Sequence, residues 1–448
     1  MRQMAMANLG RNKAKTALVI VSLSLAVVLL SVLFSFIRGF DMQKYLDRQS
    51  CADFIVGTTK YFRYEGYDSS AALPQDVVQS VQNQTTAETS GQAWYLPTNP
   101  VEWVTQERIG QWVVDIMARD QENHPGLYGC DTQVEGMDPD LLGKLQVLDG
   151  DLSALTEAGK HAVAVVVQTD DYGNNVQPGN DENAGDLSDY PKVGDTISLT
   201  YVDEAEYVDS STGEEVDPAT AGGNAEYHIT RGTDQTYTVA ALVILPYSIS
   251  ARYTIPSGDQ IVMSSDQLRS DSGQTLKSLL YAFDTPNAEA EAEAEQVLSR
   301  MTQSDTSGIM YQSKASLRRE FTNFRNMFLV VGLVLCVIVG VIGILNFFNA
   351  VLTGILSRRH EFAVLQAIGM TRKQLRQMLI GEGTGYAVGA ILLSTVLTIL
   401  LCPLVGSLLE KIFFFYQYHF TLAAVGITAP VFLLLGILLP LALFVKSA

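Results

Sequence analysis

Four stretches of this sequence are long enough and apolar enough to cross a lipid bilayer as helices. The first, residues 16–37, has 22 consecutive residues without a charge, and a helix of about 20 residues spans the hydrocarbon core of a membrane. Three further stretches cover residues 327–349, 379–401 and 422–445, and Pro403 is expected to end the third span. Because a chain in lipid must satisfy its own backbone hydrogen bonds, we predict an α-helical membrane protein with four transmembrane helices and a large domain between the first two.

The start of the chain shares some features with a secretory signal peptide, since a basic segment precedes an apolar run. Two observations argue against this alternative. The run is longer than a typical signal-peptide core, and Arg38, Gly39, Phe40 and Asp41 follow it instead of a small-residue cleavage site. We therefore expect the first span to be retained.

Charge is distributed unevenly along the chain and predicts its orientation. Residues 38–325 carry 19 Lys and Arg against 45 Asp and Glu, a net charge of −26. Residues 1–15 and 350–378 carry an excess of basic residues, which is typical of cytoplasmic segments. We expect an amphipathic cytoplasmic segment at 1–15, a cytoplasmic loop at 350–378, cytoplasmic termini, and extracytoplasmic segments at 38–326 and 402–421. The acidic balance argues against nucleic-acid binding.

Residues 38–326 show the mixed periodicity of an α+β domain. The apolar run at 160–168 is typical of a buried strand, and the alternation at 193–200 predicts another strand after a glycine turn. Helical patterns at both ends of the domain, near residues 41–48 and 313–326, predict stalk helices that continue the first and second spans.

Two segments of this domain, residues 170–190 and 203–226, are rich in Gly, Asn, Asp and Glu. The spacing D-x-[DN]-x-[DN]-G of a calcium loop is incomplete in both. We predict solvated loops, with a site for a cation or a cationic peptide as the alternative. Cys51 and Cys130 lie in the same domain, where a disulfide bridge is chemically possible, although sequence does not define its geometry.

The segment at residues 357–378 carries five basic side chains and a single acid. Phe362, Leu365 and Ile368 recur at helical spacing, and Gly369 marks a break in this pattern. Two interpretations stay open from the pattern alone. The segment is either a short amphipathic helix presented to a cytoplasmic partner or a basic loop that only determines topology.

The sequence lacks the motifs of several enzyme classes. His360 and Glu361 begin an H-E-x-x-H zinc motif, but position 364 is a valine. No Gly-Lys pair of the chain belongs to a G-x-x-x-x-G-K-[ST] phosphate loop. We therefore expect a chain that is not an enzyme, with no catalytic residues, no metal site and no cofactor.

The third span carries three glycines four residues apart, Gly381, Gly385 and Gly389. Small residues at this spacing let membrane helices approach closely, so we predict that these glycines pack against another helix. Glu382 lies near the cytoplasmic end of the same span, and an acid within a span is a functional candidate. We expect it to reach water or Arg376 and not to relay protons.

Several motifs resemble a known family. Residues 357–365, SRRHEFAVL, followed by 367–372, AIGMTR, are similar to the cytoplasmic coupling loop of FtsX/MacB-like ABC transporter permeases. Residues 7–13, ANLGRNK, resemble the N-terminal segment of the same family. Residues 136–140, GMDPD, and 193–196, VGDT, resemble the MacB-like extracytoplasmic core domain.

This resemblance implies the permease subunit of a bacterial ABC transporter in the cell membrane. Such a subunit couples ATP hydrolysis by a separate ATPase subunit to movement of its extracytoplasmic domain, for export or extraction of a lipoprotein, lipid, peptide or drug. Permeases of this family pair, so the chain would form a dimer or a pseudo-dimer with another half among the membrane lipids. The alternatives are a regulator that activates an extracytoplasmic cell-wall hydrolase and a sensory module that works with a histidine kinase.

In the family the coupling loop docks on the ATPase. Carried over to this sequence, the resemblance implies that Phe362, Leu365 and Ile368 supply the apolar contact, next to the helix break at Gly369. The charged side chains implied at the rim of this contact are Arg358, Arg359 and Glu361.

Overall fold

The chain divides into two compact units, and each has its own hydrophobic core. The helical unit comprises Met1–Tyr45 and Arg319–Ala448, and the sheet unit comprises Leu46–Arg318. Residues 1–12 of the predicted amphipathic segment lie outside the described residues. The structure, a computed structural model, describes residues 13–63, 71–108, 123–157, 159–170, 173–177, 180–209, 211–217, 225–250, 258–303 and 308–447.

Four helices in the described part of the chain are long and apolar enough to cross a membrane. They are the first, ninth, eleventh and twelfth helices, at the four positions where the sequence predicts spans. In chain order the helices are α1 (Lys13–Arg38), α2 (Met42–Gln49), α3 (Thr59–Arg63), α4 (Gln75–Gln84), α5 (Pro139–Leu142), α6 (Ser153–Thr156), α7 (Ser265–Ser272), α8 (Ala288–Met301), α9 (Lys314–Ser357), α10 (Arg359–Ala367), α11 (Arg372–Ile412) and α12 (Ala423–Ser447).

Two of the apolar helices extend beyond the predicted spans. Helix α9 has 44 residues and includes residues 314–326 of the stalk predicted at 313–326, since no Gly or Pro separates the stalk from the span. Helix α11 has 41 residues and contains Pro403, so the helix continues beyond the residue at which the third span is predicted to end. Proline is tolerated within membrane-type helices because neighbouring groups satisfy the freed carbonyl.

Helices α1, α11 and α12 pack against one another in the helical unit. Apolar side chains such as Phe432 of α12 fill their shared core. Buried hydroxyl groups add hydrogen bonds between helices: Ser24 donates to the carbonyl of Ala390 at 3.0 Å, and Thr398 donates to Ser31 at 3.1 Å. Such bonds are worth about 1 kcal/mol each in an apolar environment. Helix α9 leaves most of its apolar surface exposed.

The sheet unit is built on a 12-stranded mixed sheet with the order β14-β1-β13-β2-β5-β12-β7-β11-β10-β3-β4, and β6 pairs with β11. A separate two-stranded sheet contains β8 and β9. The strands are β1 (Phe54–Thr58), β2 (Thr89–Tyr95), β3 (Val101–Val104), β4 (Tyr128–Asp131), β5 (Gln133–Met137), β6 (Gln146–Gly150), β7 (Ala162–Val166), β8 (Val176–Gln177), β9 (Asn180–Ala184), β10 (Thr196–Asp209), β11 (Ala225–Ile244), β12 (Gln260–Ser264), β13 (Lys277–Asp284) and β14 (Ile309–Ser313).

Strand β7 shows why the centre of this sheet is buried on both faces. Ala164 and Val166 belong to one hydrophobic core, and Val163 and Val165 belong to another. Successive side chains of a strand point to opposite faces, so a strand without polar positions must be covered on both sides. The prediction of a buried strand in this run is confirmed.

The first and last strands of the sheet unit are neighbours. Strand β1 pairs antiparallel with β14, and Phe54 lies opposite Ser313. An ion pair between Asp53 and Lys314, at 3.1 Å, reinforces the junction. The two ends of the sheet unit are therefore joined by a backbone ladder and a charge pair.

The prediction of a solvated loop at 203–226 is partly wrong. Strands β10 and β11 pair along most of their length and include residues 203–209 and 225–226. Tyr207 lies opposite Tyr227, with ring centroids 5.2 Å apart. The acid-rich composition suggested a loop, but the tyrosines supply the aromatic cross-strand contact that stabilises a paired ribbon.

The other predicted loop, residues 170–190, also contains regular structure. Strands β8 and β9 pair there, and Leu187–Asp189 forms a short 3-10 helix capped by Asp186. Cys51 and Cys130 are both free thiols, so the possible disulfide between them is not formed.

Candidate functional site

The segment between α9 and α11, residues 358–371, is here called the linker. Arg358 precedes α10, and its carbonyl accepts from the amide of Phe362 at 2.9 Å. After α10 the chain turns at Gly369, whose φ of 104° falls in the left-handed region that glycine adopts without strain. Thr371 then caps α11 in a capping box with Gln374. The linker is thus a short helix with defined ends.

The inner face of the linker packs into the core of the helical unit. Phe362 is buried in the same cluster as Leu375, Met378 and Leu379 of α11, and Leu365 packs at the edge of this cluster. The expectation that Phe362 forms an outward contact is therefore wrong, because its ring is already covered within the chain. Phe362 instead holds α10 against α11.

The outer face of the linker carries two exposed apolar side chains. Ile368 is 79% exposed, and Val364 is 55% exposed. They lie four residues apart, which places them on one side of the helix, and the exposed side chains of Arg359 and His360 lie one turn before Val364. Ile368 was expected at this surface, whereas Val364 was missed, although its spacing from Ile368 is the signal that identifies it.

Arg358 points inward, with only 15% of its side chain exposed. Its Nε donates to Glu361 at 3.0 Å, and its Nη1 donates to Glu382 of α11 at 2.8 Å. The guanidinium also lies over the ring of Phe362, 5.1 Å from the ring centre. Burial by itself lowers the pKa of Arg358, but the hydrogen bonds and charges of Glu382 and Glu361 outweigh it and raise that pKa.

The contacts of Arg358 and Glu382 differ from those predicted from the sequence. Arg358 is not a rim residue, since both of its acidic partners belong to the same chain. Glu382 contacts Arg358 and not Arg376, which is exposed. Residues six apart in a helix point about 120° away from each other, so Arg376 and Glu382 face different directions on α11.

The predicted helix-packing glycines behave differently from one another. A side chain at Gly389 would lie 2.7 Å from Ile20 of α1, so this glycine permits a close approach between helices. Gly381 and Gly385 are half-buried. The tightest approach in this region was missed by the sequence interpretation and involves Gly383, whose added Cβ would lie 2.1 Å from the carbonyl oxygen of Gly436 on α12.

A second feature of the helical unit is a group of packed rings, here called the aromatic cluster. The backbone after α1 pairs with the segment after α11: Asp41 donates to the carbonyl of Phe415 at 3.0 Å, and Gln417 donates to that of Gly39 at 2.8 Å. The rings of the cluster are Phe36, Phe40, Tyr45, Phe321, Phe324, Phe328, Phe413, Phe414, Phe415 and Tyr416.

No group of three or more His, Cys, Asp or Glu side chains suited to a metal ion occurs among the residues that the structure describes. The linker offers packing, charge and an exposed apolar face. This arrangement is suited to binding another macromolecule.

Comparison with known proteins places the linker within a described family domain. Residues 324–448 match the family described as FtsX-like permease C-terminal. No curated protein matches the chain. Two solved structures are similar to part of it: the periplasmic region of MacB from Actinobacillus actinomycetemcomitans, and the extracellular domain of the noncanonic ABC-type transporter YknZ from Gram-positive bacteria.

The two structural similarities are weak. The MacB region is 6% identical, with a TM-score of 0.30, and the match covers 61% of this chain and 95% of that one. The YknZ domain is 10% identical, with a TM-score of 0.26, and the match covers 58% of this chain and 98% of that one. These scores are too low to establish a shared fold. The family match covers most of α9, all of α10 to α12 and the linker, so residues 324–448 are similar to the FtsX-like permease C-terminal family.

Proposed function

We propose that this chain is the permease subunit of an ABC transporter and that the outer face of the linker docks on a separate ATPase subunit. The observation that carries this proposal is the geometry of α10. It is a short helix fixed on its inner side by Phe362 and Arg358, while Val364 and Ile368 stay exposed on the other side. The FtsX-like C-terminal domain around it supports the same function.

The composition of the outer face suits a protein interface. Interfaces combine a small apolar centre with a polar or charged rim. Val364 and Ile368 would form the centre, and Arg359 and His360 would lie beside it. The proposed docking surface thus differs from the one implied by the sequence, because Phe362 and Leu365 support the helix from behind.

In the proposed mechanism, ATP binding and hydrolysis move the linker, and the apolar helices transmit this motion to the sheet unit. The sheet unit would be extracytoplasmic, and both termini and the linker cytoplasmic, in a bacterial cell membrane. Its substrate would be a lipoprotein, lipid, peptide or drug, and two permease chains, or this chain and another half, would assemble with the ATPase. The pairing of β1 with β14 supports this mechanism, because it ties the two ends of the sheet unit together.

Co-purification tests the proposed docking. The full chain is purified in detergent from its native membranes, and the ATPase that accompanies it is quantified together with ATP turnover. Truncating a central apolar residue of an interface commonly costs about 2 kcal/mol or more, which is roughly a 30-fold loss of affinity. We expect Ile368→Asp to lose the ATPase by at least that factor.

The matched control is Gln366→Asp, which adds the same charge to the same helix at an exposed polar position. It should keep the ATPase within about twofold of wild type, well inside the cost of a typical rim contact. Full ATPase binding and turnover by Ile368→Asp would refute the docking surface and leave the linker as a topology signal.

A further inference from the structure

Arg358 joins the linker to the interior of the helical unit. It stands between the end of α9 at Ser357 and the start of α10 at Arg359. One acidic partner, Glu361, belongs to α10, and the other, Glu382, belongs to α11. Glu382 lies ten residues after the start of α11, which corresponds to about 15 Å along the helix.

The two contacts of Arg358 differ in accessibility. The side chain of Glu361 is 40% exposed, whereas that of Glu382 is 16% exposed. An acid in an apolar helix is costly without a partner, so Glu382 depends on Arg358 more strongly than Glu361 does. Arg358 therefore remains tied to α11 even when solvent or another protein competes for Glu361.

The contact continues from Glu382 to other helices. Tyr386, one turn further along α11, forms a side-chain hydrogen bond with Thr16 of α1. The ring of Tyr386 also packs against Phe347 of α9, with centroids 5.8 Å apart. A displacement of α11 at Tyr386 would thus change its contacts with α1 and with α9.

We infer that Arg358 is a positioning residue that transmits displacement of α10 to α11 through Glu382, and that it does not contact the ATPase itself. This inference rests on the proposed function, because the displacement is supplied by the docked ATPase. The planar, forked guanidinium of an arginine can hold two carboxylates at once in a fixed geometry. A lysine carries the same charge but does not fix that geometry. The fork makes α10 and α11 move together.

The test compares variants of the full chain in its complex with the ATPase, reconstituted in lipid nanodiscs. Arg358→Gln and Glu382→Gln each remove one charge of the pair. Arg376→Gln is the matched control, because Arg376 is an exposed arginine of α11 outside the proposed docking surface. The exchange Arg358→Glu with Glu382→Arg keeps one cation facing two carboxylates, and Arg358→Lys keeps the charge without the fork.

Four quantities are measured for each variant: the amount of bound ATPase, the kcat of ATP turnover, its KM, and the change on ATP addition in the distance between spin labels at positions 363 and 408. We expect Arg358→Gln and Glu382→Gln to keep ATPase binding and KM within about twofold. Their kcat should fall at least tenfold. ATP should change the distance between the two labels in these variants, whereas the distance stays constant in wild type because α10 and α11 move together. The exchanged pair should restore the wild-type kcat and the constant distance, Arg358→Lys should be intermediate, and Arg376→Gln should behave as wild type.

Two results would overturn the inference while leaving the docking surface intact. One is loss of ATPase binding by Arg358→Gln to the extent expected for Ile368→Asp, since Arg358 would then be an interface residue. The other is a normal kcat with an unchanged distance between the labels in both single variants. Absence of any ATPase from the purified wild-type chain would instead refute the proposed function, and the inference with it. The yield of monodisperse protein extracted from the membrane identifies a variant that fails to fold. For such a variant, the result of the exchanged pair decides whether the inference stands.

Discussion

Glu102, in strand β3 of the sheet unit, provides a test of how a buried carboxyl group makes the stability of the protein depend on pH. Its side chain is 1% exposed. It accepts hydrogen bonds from Thr132 at 3.0 Å and from the amide of Asp259 at 2.8 Å. Arg108 donates to it at 3.2 Å and also pairs with Asp259 at 2.8 Å. The Arg108 guanidinium therefore contacts two buried carboxyl groups.

Burial and, next, the charge of Asp259 raise the pKa of Glu102 from 4.5 to about 8, although the charge of Arg108 opposes the change. The folded protein therefore holds this proton more tightly than the unfolded chain does. Stability falls as pH rises between these two values, by about 1.4 kcal/mol for each pH unit. From pH 5 to pH 8 the loss amounts to about 4 kcal/mol, or a decrease in Tm on the order of 10 °C for a unit of this size.

Glu102→Gln should remove most of this dependence, because the amide keeps the shape of the protonated acid and cannot ionise. Thermal unfolding of the full chain in detergent, followed by tryptophan fluorescence from pH 5 to pH 8, measures the effect. The three tryptophans, at positions 94, 103 and 112, all belong to the sheet unit. Glu107→Gln is the control, since Glu107 is exposed nearby. Parallel Tm profiles for wild type and Glu102→Gln would refute the reasoning.

Two further predictions concern the helical unit and the topology. Gly383→Val should lower the yield of monodisperse protein in size-exclusion chromatography severalfold, because its Cβ would meet the backbone of α12 and overpacking costs about 1–3 kcal/mol or more. Gly426→Val, where an added Cβ meets nothing within 4 Å, should leave this yield unchanged. Equal yields of the two variants would contradict the packing argument. In a cysteine-free background, a membrane-impermeant thiol reagent should label Glu215→Cys in intact cells but spare Arg372→Cys. Labelling of the latter from outside would overturn the proposed orientation.

The four apolar helices could be predicted because uncharged length is a local property of the sequence. The continuity of α9 could also be predicted from the sequence, because no proline lies between its stalk and its span. The end of α11 could not be predicted, because tolerance of Pro403 depends on neighbouring groups. The paired part of residues 203–226 was missed because its acidic composition resembles a loop, while its stability comes from strand pairing and from Tyr207 against Tyr227.

The linker shows a similar limit. The sequence indicated a helix with a break at Gly369, and the turn lies there. It did not indicate which side of the helix is covered, since α10 carries apolar side chains on both sides. Phe362 is covered and Val364 is exposed because of the position of α11. The partner of Glu382 is likewise a tertiary contact, and proximity in sequence pointed to the wrong arginine.

The two ends of α11 suggest how the proposed motion would travel through the helical unit. Glu382 lies in the first third of this helix, and Phe415 lies just after its end at Ile412, which is 30 residues or about 45 Å beyond Glu382. The ring of Phe415 packs against Phe40, which follows α1, and against Phe321 of α9, with centroids 5.6 Å apart in both pairs.

Any shift of α11 must either break these ring contacts or carry the ends of α1 and α9 with it. Each aromatic pair is worth about 0.5–1.5 kcal/mol beyond its buried area, and the cluster contains many such pairs, besides the two backbone hydrogen bonds at Phe415 and Gly39. Breaking them together would cost several times the value of one pair. In the proposed mechanism, α11 therefore carries α1 and α9 with it, and these are the two helices whose chain continues into the sheet unit.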